Sequence, residues 1–180
     1  MAVDAESFRL GMRRLAASVT ILTTAGPDVG RAGMTATAVS SVTADPPTLM
    51  CCVNRNNATR HAIAAAGCVA VNLLSSSDHE LASRFATAMP PEERFRAGSW
   101  TTLATGAPAL ETAAGVFDCL IGHSIEIGSH TVFFGEVQAV QVRDQHVRPL
   151  LYAHGGYGSF AGAPVALRGL MWTPDWQVDD

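Results

Sequence analysis

The feature that most constrains this chain is the run from Ala113 to Val142, which reads as two long strands separated only by Gly128-Ser129-His130. Two strands meeting at so tight a turn pair antiparallel. The alternation slips at Phe133-Phe134-Gly135, which predicts a bulge. Other stretches supply neighbours for this hairpin. Val19 to Thr24, Met34 to Thr43, Thr48 to Val53 and Cys68 to Leu74 carry strand patterns, and GPDVGRAG between the first two predicts a hairpin turn. Helical signals are short. Asp4 caps a segment with Phe8, Met12 and Leu15 at helical spacing, and Asn57 to Ala66 ends at Gly67. Ser77-Asp78-His79-Glu80 has the form of a capping box before Leu81 and Phe85, and Pro90-Pro91 opens a further turn. Many strands with few short helices predict a mainly β fold, a barrel with flanking helices. No repeat or linker divides residues 1–180, so a single domain is expected.

Charge narrows the partners. Charged residues make up 16% of the chain and hydrophobic ones 48%, against roughly 25% charged in an average soluble domain. This predicts apolar surface covered by a second subunit. A net charge of −4 argues against nucleic acid or acidic membrane as a partner. The N-terminus lacks the apolar core of a signal peptide, and no apolar run approaches the roughly 20 residues of a membrane span, so a cytoplasmic protein is expected. Cys51, Cys52, Cys68 and Cys119 form neither a Cys-x-x-Cys pair nor a Cys/His pattern, which predicts free thiols and no structural metal.

The segment MTATAVSSVTADPPTLM, residues 34–50, carries the first chemical signal. Read as one strand, it places Thr35, Thr37, Val39, Ser41 and Thr43 on one face. Met34, Ala36, Ala38, Ser40 and Val42 share the other. Small residues let a planar ligand approach the backbone, and the hydroxyls can meet its polar edge. A half-exposed strand with threonines in water explains the same pattern. Pro46-Pro47 is expected to end the pairing. Asn54 to Arg60 joins a strand end to a helix start, where free N–H groups attract an anion. Asn57 and Thr59 could donate there, and Arg55 or Arg60 could add charge; plain capping by Asn57 is the alternative. Ser83-Arg84-Phe85 could bring a hydroxyl, a guanidinium and an aromatic edge to the same anion, or simply bury Phe85. His130 sits in the hairpin turn, and His154-Gly155-Gly156-Tyr157-Gly158 forms a glycine-rich loop. No dinucleotide fingerprint, Walker motif or nucleophile elbow occurs.

In order, GMTATAVSSVTADPP, NRNNATRHAI, LASRFA, ERF with Trp100, GAPALETAAGVFDC, GSHTVFFGEV and PLLYAHGGYG resemble the motifs of the flavin reductase-like family, from Phe8 to Phe160. The resemblance implies a split β-barrel of Greek-key type, a homodimer, and use of FMN or FAD with NADH or NADPH. It implies hydride transfer from NAD(P)H to flavin and delivery of reduced flavin to a partner monooxygenase. Carried over by motif, Thr35, Ala36, Thr37, Ser40 and Ser41 would cradle the flavin ring and ribityl chain. Asn54, Asn57, Thr59, Ser83, Arg84 and Phe85 would hold the phosphate region. His130, the catalytic candidate, would lie by the nicotinamide, with Tyr157 closing that side. Gly128-Ser129-His130 departs from the family's Gly-Asp-His, and loss of the carboxylate predicts a less firmly held imidazole. No basic cluster is evident beside the nicotinamide side, which favours NADH over NADPH. Two other functions stay open: a same-fold reductase with tightly bound flavin acting on another acceptor such as a corrin cobalt, and a flavin-binding module without activity.

Overall fold

In the computed structural model, residues 2–143 and 147–160 are described. The long hairpin forms as its sequence predicts. Strand β9 (Gly115–Ile127) pairs antiparallel with β10 (His130–Val142) across Gly128-Ser129. The register slips between Phe134 and Gly135 and again between Val137 and Ala139. Gly135 is required at the first slip, because a Cβ there would lie 2.8 Å from Cβ of Cys119. The small sheet of β1 (Ala17–Ser18), β11 (Leu150–Ala153) and β12 (Gly156–Ser159) lies apart from the main one.

The main sheet runs β3-β2-β6-β9-β10-β5-β4. Here β2 is Thr20–Gly26, β3 Gly30–Ala36, β4 Val39–Ala44, β5 Pro47–Asn54 and β6 Cys68–Leu73. The two edges, β3 and β4, are consecutive in the chain and joined only by Thr37 and Ala38. Three Cα steps span at most about 11 Å, so the edges must approach each other and the sheet must curl into a split barrel. The segment expected as one strand over 34–43 is therefore two strands on opposite edges. Pro46-Pro47 does not end the pairing either. The prolines turn β4 back into β5, with Ala44 opposite Pro47 and a cis Asp45–Pro46 peptide.

Helices cap this barrel. Asp4 caps α1 (Ala5–Met12), accepting from the amides of Glu6 and Ser7 at 3.0 and 2.8 Å, yet α1 buries no residue and leaves Phe8, Met12 and Leu15 exposed. Asn57 caps α2 (Ala58–Ala66), which closes at Gly67 with φ 69°. The capping box before α3 (His79–Ala86) lies at Ser75 and Asp78 in a 3₁₀ turn, two residues before the expected Ser77. Its hydroxyl–carboxylate pair closes the turn before the helix begins. Pro91 opens α4 (Pro91–Arg94), and β7 (Trp100–Thr102) pairs with β8 (Pro108–Leu110). No helix among the described residues is long and apolar enough to cross a membrane.

Two apolar cores result. Leu22, Leu49, Val53, Val71 and Phe133 fill the barrel, while Phe85, Phe95, Leu110 and Val116 pack beneath α3 and α4. Asn72 sits fully buried between β2, β6 and β8. It donates to the Ile21 carbonyl at 2.9 Å and the Thr23 hydroxyl at 3.0 Å, and accepts from the Leu110 amide at 2.7 Å. All four cysteines are free, and burial pushes the thiols of Cys51 and Cys119 up to about 12, which keeps them protonated and inert near neutral pH.

Candidate active site

The β3–β4 crossing builds the site. Thr37 and Ala38 belong to neither ladder, and among the described residues their amides donate to no backbone carbonyl. The Ala38 carbonyl accepts from the Cys52 amide at 2.9 Å, which pins the crossing to β5. A cleft of about 360 Å³ opens here, walled by Thr35, Ala36, Thr37, Ala38, Cys52, Asn54, His130, Tyr152 and Tyr157. Its walls carry small side chains, amide and hydroxyl donors and aromatic edges, with His130 the one titratable imidazole among them. The Thr35 hydroxyl is committed, donating to the Ala82 carbonyl of α3 at 2.6 Å, whereas Thr37 is exposed. Tyr152 and Tyr157 stand opposite each other on β11 and β12, their rings edge to face with centroids 5.6 Å apart. The turn carrying Tyr157 forms because His154 and Gly155 both take positive φ, 54° and 82°.

His130 opens β10, opposite Asn54 of β5 and Ile127 of β9. The Ser129 hydroxyl lies 2.9 Å from its Nδ1, and the Ser129 carbonyl accepts from the Arg55 amide at 2.9 Å. The expected looseness of the imidazole is thus met by a replacement contact. Serine can donate to or accept from Nδ1, so it holds the ring without the tautomer preference that a carboxylate enforces.

An anion pocket adjoins the cleft, sharing Met34 and Ala86 with it and enclosing about 500 Å³. The first turn of α2 forms one wall through Asn57, Ala58 and Thr59, and Arg94 forms another. Asn57 accepts the Thr59 amide at 2.9 Å. Gly33 lets β3 pass over the pocket floor, since a Cβ there would lie 3.0 Å from the Phe85 ring. Phe85 itself is buried against Phe95 and Trp100, with ring centroids 5.2 and 5.5 Å away. Arg94 crosses the Phe85 ring and donates to the carbonyls of Gly33, Thr87 and Met89. Burial lowers its guanidinium pKa. Its Nε is the one buried side-chain polar atom among the described residues that has no partner. An orphaned cationic donor beside a helix N-terminus fits a phosphate.

The structure thus brings Thr35, Ala36, Thr37, Asn54, His130 and Tyr157 into one cleft, and Asn57, Thr59 and Phe85 into the pocket beside it. It does not bring Ser40 and Ser41 there. They face a separate cavity of about 310 Å³ at the barrel mouth, with Val71 and Phe117. The break at residues 37–38 resets the alternation, so the single strand expected over 34–43 does not hold these serines beside Thr35 and Thr37. Ser83 and Arg84 also lie outside both walls. The Ser83 hydroxyl donates back to the His79 carbonyl at 2.9 Å, and Arg84 donates to the carbonyls of Glu93 and Arg94 at 2.6 and 3.3 Å. Arg55 and Arg60 spend their charge on Glu126, at 3.3 and 2.6 Å. Sequence reasoning missed Arg94, Cys52 and Tyr152. The ERF segment held the signal for Arg94, but nothing local revealed that its side chain reaches β3.

Comparisons with known proteins place the fold and the family. Residues 12–161 match the flavin reductase like domain family. An FMN reductase (NADH) RutF of Ancylobacter novellus is 46% identical over 163 residues, covering 91% of this chain and 89% of that protein. One of Variovorax paradoxus is 41% identical, covering 87% and 86%. Among solved structures, the NADH:FAD oxidoreductase SgcE6 of Streptomyces globisporus superposes with a TM-score of 0.82 at 28% identity, covering 90% of this chain and 98% of that one. BorF, the flavin reductase component of a bacterial two-component tryptophan halogenase, gives 0.80 at 26%, covering 89% and 100%. With a split barrel, a cleft at its strand crossing and a family match over most of its length, the chain belongs to the flavin reductase-like domain family.

Proposed function

We propose that this protein is an NADH-dependent flavin reductase that uses FMN as its preferred flavin and releases it reduced to a partner oxygenase component. The observation that carries this is the pairing of a small-residue cleft with an adjoining pocket at a helix N-terminus, lined by Arg94, whose Nε has no partner among the described residues. The residues fit a flavin: the amides of Thr37 and Ala38 would be free to meet the polar edge of a planar ring, and Asn57, Thr59 and Arg94 would hold its phosphate. Both spaces lie within the roughly 300–1,000 Å³ of small-molecule sites. Bound flavin supplies the hydride acceptor, so the protein's task is position and electrostatics. His130, held by Ser129, and Tyr157 line the side where the nicotinamide enters.

FMN and NADH follow the relatives' names, and a partner that takes up reduced flavin follows BorF, the reductase component of a two-component halogenase. The sheet face that carries Asn54 and His130 also exposes Met50, Ile125 and Ile127, and a second copy of this chain covers these in a homodimer. The chain acts as one unit over residues 1–180, in the cytoplasm, where four free thiols stay reduced.

Substituting His130→Ala tests the division of labour. The KM for NADH is expected to rise about 10-fold, the worth of one lost hydrogen bond, while FMN affinity by fluorescence titration stays near wild type. Ser129→Ala should give a smaller rise of the same kind, and Ser129→Thr should restore it. Equal losses for NADH and FMN would contradict the assignment.

A further inference from the structure

A third space lies at the other end of the ring cleft. This groove of about 580 Å³ runs between α1 and the β11–β12 turn and shares Thr37, Ala38 and Tyr152 with the cleft. Arg9 and Arg13 line it, with His154 on the facing turn. We propose that this groove binds the diphosphate of the dinucleotide donor through the guanidinium groups of Arg9 and Arg13. The proposal rests on the ring cleft being the flavin site.

The arginines are placed for an anion and for little else in the chain. They stand four residues apart at the end of an eight-residue helix, so they share a face. Like charges at that spacing repel, and the helix C-terminus offsets only part of the cost. Among the described residues neither makes an ion pair, since both bridges of the described chain go to Glu126. All twelve cationic side chains of this protein are arginine. Arg55, Arg60, Arg84 and Arg143 are occupied by a carboxylate or by backbone carbonyls, and Arg94 belongs to the pocket beside α2. Arg9 and Arg13 instead face an open groove. The groove is also held in shape, because the His154 amide donates to the Arg13 carbonyl at 3.0 Å and ties the turn to the end of α1.

Position decides which anion binds. The Arg94 pocket joins the cleft through Met34 and Ala86, at the opposite end from Thr37 and Ala38. A flavin phosphate at Arg94 and a dinucleotide diphosphate at Arg9 and Arg13 then enter from opposite ends. Their rings meet between, and their like charges stay apart. No basic cluster beside the nicotinamide side is evident in the sequence, and Arg9 and Arg13 reach this groove only through the fold. The cluster comes from a helix more than 100 residues away in sequence from the tyrosines it joins.

The test is the double substitution Arg9→Gln and Arg13→Gln, which keeps helix propensity on a helix that buries nothing. Each charge-assisted contact is worth about 10-fold in affinity, so the KM for NADH should rise about 10-fold for either single variant and about 100-fold for the double. FMN affinity should be unchanged. Added potassium chloride should raise the wild-type KM for NADH and barely move that of the double variant. As a readout independent of turnover, ADP should bind flavin-free wild type in calorimetry and lose that affinity in the double variant. If FMN affinity falls instead, or if neither ADP nor NADH is affected, the proposal is overturned. If wild type oxidises no NADH, the reductase assignment fails, and ADP binding alone then decides the groove: loss in the double variant upholds it, no loss overturns it.

Discussion

Substituting Ala38→Trp is expected to weaken FMN binding about 100-fold and to abolish flavin-dependent NADH oxidation at ordinary FMN concentrations. The Ala38 side chain is exposed and lines both the ring cleft and the arginine groove. An indole there fills space the flavin ring needs, and forced overlap costs about 1–3 kcal/mol, the upper end being about 100-fold. The fold should survive. The structural duty of Ala38 is its carbonyl, which accepts from the Cys52 amide, and that bond does not depend on the side chain. Quenching of FMN fluorescence reports the affinity, and circular dichroism reports the fold. Wild-type FMN affinity in a folded variant would place the ring elsewhere.

The second large effect is on stability. Asn72→Ala is expected to cost about 3 kcal/mol, because it leaves the Leu110 amide without its buried acceptor and removes two donated bonds. With a urea dependence of about 2 kcal/mol per molar, the unfolding midpoint should fall by about 1.5 M. Cleft residues are untouched, so FMN affinity of the folded fraction should hold. A midpoint near that of wild type would show that the network contributes little.

Much of this was readable from residues. The hairpin, its slip at Gly135, the Asp4 and Asn57 caps and the Gly67 stop each follow from local chemistry that the fold leaves intact. The motif order also grouped residues that the fold brings together, since Thr35, Ala36, Thr37, Asn54, His130 and Tyr157 line one cleft. What failed has one physical root: side-chain alternation is local, while the sheet's order is not. Nothing in residues 34–43 shows that Thr37 and Ala38 leave one edge of the barrel for the other, so Ser40 and Ser41 were grouped with residues that line a different cavity. Likewise Arg84 and Arg94 look equivalent in sequence. Packing turns the first onto the carbonyls of α4, while the second lines the pocket and keeps a buried Nε without a partner among the described residues. Arg9 and Arg13 read as ordinary helix charges until β11 and β12 fold against them.

The central claim is most directly tested by following NADH oxidation by the purified protein as FMN is added. The account predicts turnover that requires FMN and saturates with it. Flavin binding without NADH oxidation would contradict it and leave a carrier of flavin or a different electron donor.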